Sequence, residues 1–181
     1  MNRRDADRAL DGQSLDEPRK LSIVSAKSLD EDGLMRVHML AGHAREAFAA
    51  ACMREDLKNR ARPSLIAAAD VPDWFGESPS VRRIVGLLRG SLKRIGSDEY
   101  PYWSIEGVHL DPTVRVETVK AFLVRQLQHR VRRRKGVEGA RVVVPAADTD
   151  ESVWYMQRGF RDGPAFDESG SLIWTSPPRY R

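Results

Sequence analysis

The sequence predicts a single mixed α/β domain, with strands at both ends of the chain around central helices. Short runs rich in β-branched residues alternate with longer amphipathic runs that have helical spacing. A length of 181 residues suits one domain with a core of ordinary size. Residues 1–20 are polar and sustain no apolar period, so we expect a flexible leader followed by one domain over residues 21–181.

Composition narrows the class of protein. Hydrophobic residues make up 41% of the chain and charged residues 31%, as in soluble globular proteins. No apolar run approaches the ~20 residues of a membrane span, and the polar N-terminus lacks the core of a signal peptide, so a cytoplasmic protein without a membrane partner is expected. The single cysteine, Cys52, excludes an intramolecular disulfide and a cysteine-built zinc site, and its alanine-rich surroundings predict a buried helix thiol.

Periodicity and turn residues place the elements in order. Gly42 divides a long helical pattern into two helices, and Gly136 is a well-placed stop for a second long helix. Aromatic and β-branched residues favour a strand before that helix. The predicted strands are residues 21–25, 64–69, 83–90, 102–110, 141–144, 164–166 and 172–174, and the predicted helices lie within 30–60, 115–135 and 150–158.

One local motif narrows the fold further. A Tyr-x-x-x-Gly-Phe turn at residues 155–160 follows the strand at 141–144, the long helix, and Leu-Asp-Pro-Thr-Val-Arg at 110–115. In that order the chain resembles the coenzyme A half of the GNAT superfamily of N-acetyltransferases. The resemblance extends over almost the whole chain after the leader. It implies a curved, mostly antiparallel sheet that splays between the strand ending at Leu110 and the strand at 141–144, with the long helix on one face.

The same resemblance implies a site for the pyrophosphate of acetyl-CoA at the start of the long helix. The family pattern there is Arg or Gln, two residues, Gly, one residue, Gly or Ala. Arg115 matches, but Thr118 and Lys120 occupy the glycine positions. Glycine permits close backbone approach, so phosphate binding is expected to be weakened or rearranged. The Thr118 hydroxyl and the Lys120 ammonium could supply replacement contacts, whereas Glu117 adds a negative charge; an ordinary capped helix without a ligand is the alternative.

The implied donor-binding residues lie on the splayed strand, the turn after it and the start of the last helix. Asp148 stands where the family often has an asparagine that contacts the cofactor arm. The full set is Val108, His109, Leu110, Arg115, Val116, Thr118, Lys120 and Asp148. Acetyl-CoA is the expected cosubstrate, and no metal is expected.

Tyr155 and Glu106 are the implied catalytic pair. The family's tyrosine commonly protonates the leaving thiolate, and a phenol can donate that proton. Glu106 and His109 are candidate bases, with Glu106 preferred by its position. Being three apart, they face opposite sides of a regular strand, unless a bulge near Gly107 changes this. The alternatives are a core tyrosine packed on Phe160 and a solvated carboxylate.

A basic cluster crowds the end of the long helix: Arg130, Arg132, Arg133, Arg134 and Lys135. Such a cluster can bind nucleic acid, bind a phosphorylated cofactor, or complement the helix dipole as a solvated end. If coenzyme A binds, residues 132–135 are available for its more distant phosphate charge. No aromatic residues interleave with the arginines, so nucleic acid is not favoured.

Two functions from different classes fit these observations. One is an acyl-CoA-dependent N-acetyltransferase that acts by direct attack of an amine, on a small molecule or a protein, with a different acyl donor as a variant. The other is a degenerate GNAT-like domain that lacks donor binding and serves as a protein- or nucleic-acid-binding module. The oligomeric state stays open, a homodimer being one option. Acidic residues near the expected acceptor site hint at a cationic amine: Asp30, Glu31, Asp32, Asp70, Asp73 and Glu77.

Overall fold

Seven strands of the described residues form one open sheet in the order β1-β2-β3-β4-β5-β7-β6. The computed structural model describes residues 18–43, 49–59, 62–73, 78–98, 100–164 and 170–176. The elements are β1 (Arg19–Val24), α1 (Glu31–Leu40), α2 (Ala49–Lys58), β2 (Ser64–Val71), β3 (Val81–Lys93), β4 (Tyr102–Leu110), α3 (Val116–Arg133), β5 (Gly139–Val143), α4 (Thr149–Met156), β6 (Arg161–Asp162) and β7 (Ser171–Thr175). All neighbouring strands are antiparallel except β4 and β5, which are parallel. The expected mixed α/β fold with a mostly antiparallel sheet is confirmed.

The sheet buries both of its faces, as the alternation along β2 illustrates. Leu65 and Ala67 pack in a cluster with α3 and α4, whereas Ile66 and Ala68 pack in a second cluster with α1 and α2. Successive strand residues point to opposite faces, so a strand buried on both sides reads as a continuous apolar run. The helices before β2 therefore cover one face, and the helices after β4 cover the other.

The centre of the sheet is incompletely paired. β4 pairs with β3 along its length, from Tyr102 opposite Lys93 to Leu110 opposite Gly86. Its ladder with β5 consists of three registered pairs and ends where Ile105 meets Val142. The remainder of β4 continues without a registered partner on that side, which confirms the expected splay between these two strands.

A bulge marks the point where the two central strands part. Arg89 is registered with Gly107 and Gly90 with Ile105, so Glu106 is the extra residue of β4 at this step. A bulge re-aims side chains and increases local twist, and such irregularities are common next to active sites. The expected irregularity near Gly107 is therefore present, and it falls on the candidate base.

Helix α3 lies unusually close to β3 at Gly86. A Cβ at this glycine would stand 2.8 Å from Val119 Cγ1 and 3.0 Å from Leu123 Cδ1. Both side chains are fully buried. The absence of a side chain at Gly86 thus sets the depth at which α3, and the turn that precedes it, sits on the sheet.

The element boundaries differ from the sequence expectations in a few places. β1 begins at Arg19, inside the predicted leader, because its backbone pairs with β2 at Asp70. β2, β3 and β5 are longer or shifted by a few residues. The strand expected at 164–166 is replaced by β6 at Arg161–Asp162, and residues 165 and 166 lie outside the described part.

The expectation that Cys52 is buried is wrong. Its thiol is exposed, because α2 buries Ala49 and Met53, one turn apart, and the cysteine lies off that stripe. The alanine-rich surroundings gave no information on which face of the helix points to the sheet.

Replacing Gly86 with alanine should lower the free energy of unfolding by about 1–3 kcal/mol, the usual cost of overpacking a core. The added Cβ would press on the Val119 side chain, so the double variant Gly86→Ala/Val119→Ala should lose less than the two single changes together. Chemical denaturation of the three variants measures this coupling. Strictly additive losses would contradict a close contact between β3 and α3.

Candidate active site

A cleft of about 250 Å³ opens where β4 and β5 part. Its lining contains both candidate catalytic side chains, Glu106 and Tyr155. The lining residues are Ile105, Glu106, Gly107, Val108, Leu110, Lys120, Val142, Val143, Glu151 and Tyr155. Residues distant in sequence thus meet at one place: the bulged strand, the first turns of α3 and the inner face of α4.

Tyr155 forms the floor of this region. It is 2% exposed, and its ring meets Phe160 edge to face with centroids 5.2 Å apart. The turn between them needs Gly159, whose φ of +87° is strained for any residue with a side chain. Burial raises the pKa of the phenol, with the Glu151 charge adding to the effect and the Arg158 charge opposing it. The group therefore remains a proton donor at neutral and mildly alkaline pH.

Glu106 and His109 are separated by the bulge, and only one of them lines the cleft. Glu106 is exposed and borders the cleft. His109 is registered with Leu87, which packs against α1 and α2, so its imidazole faces that side of the sheet. Burial lowers its pKa, with the Arg89 and His43 charges contributing in the same direction, so the ring is neutral at pH 7. The geometry favours Glu106 as the base.

The expected donor turn leads into an α-helix of 18 residues. Arg115 occupies the N-cap position but makes no side-chain capping bond, and the Thr118 amide donates to the Arg115 carbonyl at 3.1 Å. Val116 is the first residue of the helix. An amide at the start of a helix can bind an anion, but the Thr118 amide is already engaged within the helix.

Lys120 is engaged across the cleft. Its ammonium donates to the Glu151 carboxylate, and it lies 4.2 Å from the centroid of the Trp154 indole. One turn earlier, Glu117 accepts a 2.7 Å hydrogen bond from Trp154 Nε1. The Arg158 guanidinium also contacts this indole, 3.4 Å from its centroid. Side chains of α3 and α4 therefore contact each other at Lys120, where the sequence predicted a phosphate contact, and at Glu117, where it predicted an opposing negative charge.

A larger groove of about 1010 Å³ lies elsewhere, between β1, α2 and β2. Its rim is basic, with Lys27, Arg54, Lys58 and Arg130 among the lining residues. We place the candidate site in the smaller cleft nevertheless, because the bulge, the carboxylate and the phenol meet there and the larger groove contains no comparable acid–base pair among its lining residues.

Comparison with known proteins gives matches in structure alone. No protein-family model matches the sequence, and no curated protein matches it. The chain resembles the N-acetyltransferase PseH of Campylobacter jejuni in complex with acetyl coenzyme A, with a TM-score of 0.57 and 9% identity over 87% of this chain and 99% of that one. It resembles Arabidopsis thaliana NAA60 in complex with acetyl-CoA, with a TM-score of 0.54 and 13% identity over 86% and 97% of the two chains. It also resembles the KacTA–DNA complex, with a TM-score of 0.55 and 16% identity over 87% and 94%.

The chain has the GNAT fold. The strand order and the splay after Ile105 agree with this fold, and the structural matches extend over nearly the whole length of the compared chains. Identities of 9–16% carry the fold and leave the activity to be argued from the site.

Within this GNAT fold the remaining predicted residues take separate positions. Val108 and Leu110 line the cleft from β4. Asp148 is the N-cap of α4, where its carboxylate accepts a 3.0 Å bond from the Glu151 amide. That contact gives Asp148 a capping role, and its contact with a cofactor arm stays a prediction.

Sequence reasoning missed the most deeply buried charge near the donor turn. Asp111 is fully buried, and its carboxylate accepts bonds from Arg36 at 2.5 Å and from the Thr113 amide and hydroxyl at 3.0 and 2.8 Å. Arg83 adds a fourth contact at 3.4 Å. Asp-Pro-Thr is a turn signature, but it gives no sign of an arginine on α1. This cluster ties the turn after β4 to the helix on the opposite face.

The basic cluster lies at the far end of α3 from the expected pyrophosphate site. Val116 and Arg132 are separated by 16 helical residues, a rise of about 24 Å at 1.5 Å per residue. Residues 132–135 are therefore too far away to contact a pyrophosphate at the donor turn, and the expectation that they serve a more distant phosphate of coenzyme A stays a prediction. Their exposure at the helix end fits the complement to the dipole that the sequence also allowed.

The acidic residues that hinted at a cationic amine are partly committed to other roles. Asp70 pairs with Lys20 at 3.3 Å and with Arg82 at 2.9 Å, and Asp30 caps α1 through the Gly33 amide. Glu77 lies outside the described part. The hint therefore rests on fewer residues than the sequence suggested.

The described residues contain neither a cluster suited to a metal ion nor a membrane-spanning helix. Within the described ranges no group of three or more His, Cys, Asp or Glu side chains is arranged to hold a metal ion. Among the helices that the structure describes, none is long and apolar enough to cross a membrane.

Acid should weaken the fold through Asp111. Burial alone would raise the pKa of this carboxyl, but the Thr113 hydrogen bonds and the Arg36 charge together lower it. A lowered pKa means that the stabilisation is fully present above the unfolded value of ~3.9 and is lost as the pH falls through the folded value. Denaturation at pH 7 and pH 3 measures the difference.

The variant Asp111→Asn should lower the free energy of unfolding at pH 7 by about 3 kcal/mol, at the low end for a broken buried pair because Arg36 keeps some solvent contact. It should also lose less stability than the wild type between pH 7 and pH 3. Asp70→Asn is the matched control, and its cost should be much smaller because its partners are exposed. Equal losses for the two variants would contradict the role of Asp111.

Proposed function

We propose that the chain is an acyl-CoA-dependent N-acetyltransferase that transfers an acetyl group from acetyl-CoA to an amine by direct attack. The observation that carries the proposal is the meeting of Glu106 and Tyr155 in one cleft beside a bulge in β4. The GNAT fold and the acetyl-CoA bound to structures of PseH and NAA60 agree with it. The acceptor is an amine on a small molecule or a protein.

The unpaired part of β4 supports binding of the donor's pantetheine arm. Beyond Ile105 the edge of β4 that faces β5 has no registered strand partner, and backbone amides and carbonyls left without partners are strong hydrogen-bonding groups. Val108 and Leu110 line the cleft on this stretch. An amide-containing arm that lies along this edge would satisfy those groups and bring the thioester toward Glu106 and Tyr155.

The reaction then needs two proton transfers. The amine nitrogen attacks the thioester carbonyl carbon, a C–N bond forms, and the C–S bond breaks to release a thiolate. Glu106 accepts the amine's proton through a water molecule, and the Tyr155 phenol gives its proton to the thiolate. The resulting phenolate is reprotonated from solvent. A raised pKa keeps the phenol protonated before this step, and such positioned acid–base groups typically contribute ~10²–10⁴-fold in rate.

A module without donor binding is the second candidate, and one observation favours it. Lys120, which could meet the donor's phosphate, is paired with Glu151. Isothermal titration with acetyl-CoA and coenzyme A separates the two functions. Saturable binding supports the enzyme, and no heat of binding at millimolar ligand would decide for the module.

Arg115→Ala should weaken coenzyme A binding by ~1.5–3 kcal/mol, the range for a hydrogen bond to a charged group. Arg133→Ala is the matched control, since it removes the same charge about 27 Å away along the helix. Titration of both variants gives the two affinities. A comparable loss in the control would place the phosphates elsewhere.

Tyr155→Phe and Glu106→Gln should each lower turnover by ~10²–10⁴-fold while donor affinity stays within a few-fold. Both changes keep the shape of the side chain and remove one transferable proton or charge. A panel of polyamines, amino acids and peptides with free N-termini, assayed by release of the coenzyme A thiol, supplies the acceptor.

The assay should use a Cys52→Ser background, because the exposed thiol reacts with thiol reagents. Circular dichroism confirms that each variant is folded. Wild-type turnover by folded Tyr155→Phe would make the tyrosine a core residue and send the search for the acid elsewhere.

A further inference from the structure

One charged pair in the cleft has no part in the proposed proton transfers. Lys120 on α3 and Glu151 on α4 form a salt bridge, and both line the cleft. Their side chains are 12% and 31% exposed. Partial burial strengthens such a pair relative to a fully exposed surface pair.

The pair joins the two helices that flank the splay. α3 follows β4, α4 follows β5, and between these strands the ladder ends at Ile105 and Val142. The bond from Trp154 Nε1 to Glu117 makes a second bridge between the same helices. Side chains, and not strand pairing, therefore hold this side of the cleft together.

The pair also determines the charge that an anion would meet in the cleft. Among the described lining residues Lys120 is the only cation, whereas Glu106 and Glu151 are both carboxylates. With Glu151 bound to Lys120 the positive charge is neutralised, and the lining carries a net negative charge. An entering phosphate must compete with the Glu151 carboxylate for the ammonium, because both are oxygen anions that seek the same donor.

We propose that Glu151 is a competing anion that binds the Lys120 ammonium when no donor is bound and is displaced from it by a phosphate of the donor. This rests on the proposed function, since it concerns the same donor. The affinity for phosphate-bearing ligands then depends on the difference between the Lys120–phosphate contact and the Lys120–Glu151 contact. Binding of the phosphate-free part of the donor does not depend on this difference.

The test is the variant Glu151→Gln, which keeps the shape of the side chain and removes its charge. Coenzyme A should bind it about three- to tenfold more tightly than wild type, from the strength of a partly exposed ion pair. Pantetheine, which lacks phosphate, should bind both proteins equally. Lys120→Met should weaken coenzyme A binding and abolish the gain from Glu151→Gln in the double variant.

Glu117→Gln is the matched control, because Glu117 lies on the same helix one turn earlier and contacts Trp154. It removes one negative charge without releasing Lys120. Equal tightening by the control would show a general charge effect and overturn the proposal. Equal tightening toward pantetheine would show that the change merely opens the cleft, and it would overturn the proposal as well.

The outcomes separate this proposal from the proposed function. If wild type and Glu151→Gln bind coenzyme A with the same affinity, the proposed enzyme stands and the proposed competition is overturned. No binding of coenzyme A to either protein at millimolar concentration overturns both. Binding to the variant alone supports the competition in its strongest form. If Glu151→Gln is unfolded by circular dichroism, Glu151→Ala at this half-exposed position replaces it, with the same outcomes.

Discussion

The unequal pairing of β4 is the constraint on which the rest of the site depends. β3 takes one edge of β4 along its whole length, but β5 takes the other edge only as far as Ile105. The backbone amides and carbonyls of that open edge can pair with a ligand, while side chains of α3 and α4 bridge the opening beside it. The bulge at Glu106 lies at the same step, which couples the position of a carboxylate to the opening of the sheet.

The side chains that bridge the gap include a group that could also bind the donor's phosphate. In the family pattern, glycines leave the helix start accessible to phosphate, whereas this chain has Thr118 and Lys120 at those positions. Lys120 then reaches α4 and neutralises Glu151. The contact that ties α3 to α4 also neutralises the Lys120 ammonium, so a phosphate ligand would compete with Glu151 for that group.

Local patterns in the sequence predicted most of the elements, because each depends on residues close together in the chain. The splay and the bulge were expected from the resemblance to the GNAT superfamily and not from local patterns. Partners far apart in sequence could not be predicted that way. Asp111 is tied to Arg36 across 75 residues, and nothing local to Asp-Pro-Thr indicates an arginine on α1. The Lys120–Glu151 pair and the exposed face of Cys52 likewise depend on how helices rotate against the sheet. By contrast, the distance from the basic cluster to the donor turn follows from the helical rise alone, so the sequence was sufficient to place these residues beyond reach of a pyrophosphate at that turn.

The environment of Trp154 has an optical consequence. Its indole is contacted by the Lys120 ammonium and by the Arg158 guanidinium, and its N–H donates a hydrogen bond to Glu117. Two of the other tryptophans, Trp103 and Trp174, are buried away from this contact. Fluorescence emission from an indole responds to nearby charges and to the strength of its N–H bond, so Trp154 is a built-in chromophore at the junction of α3 and α4. The protein therefore carries its own spectroscopic signal for any rearrangement of these two helices, without an attached dye.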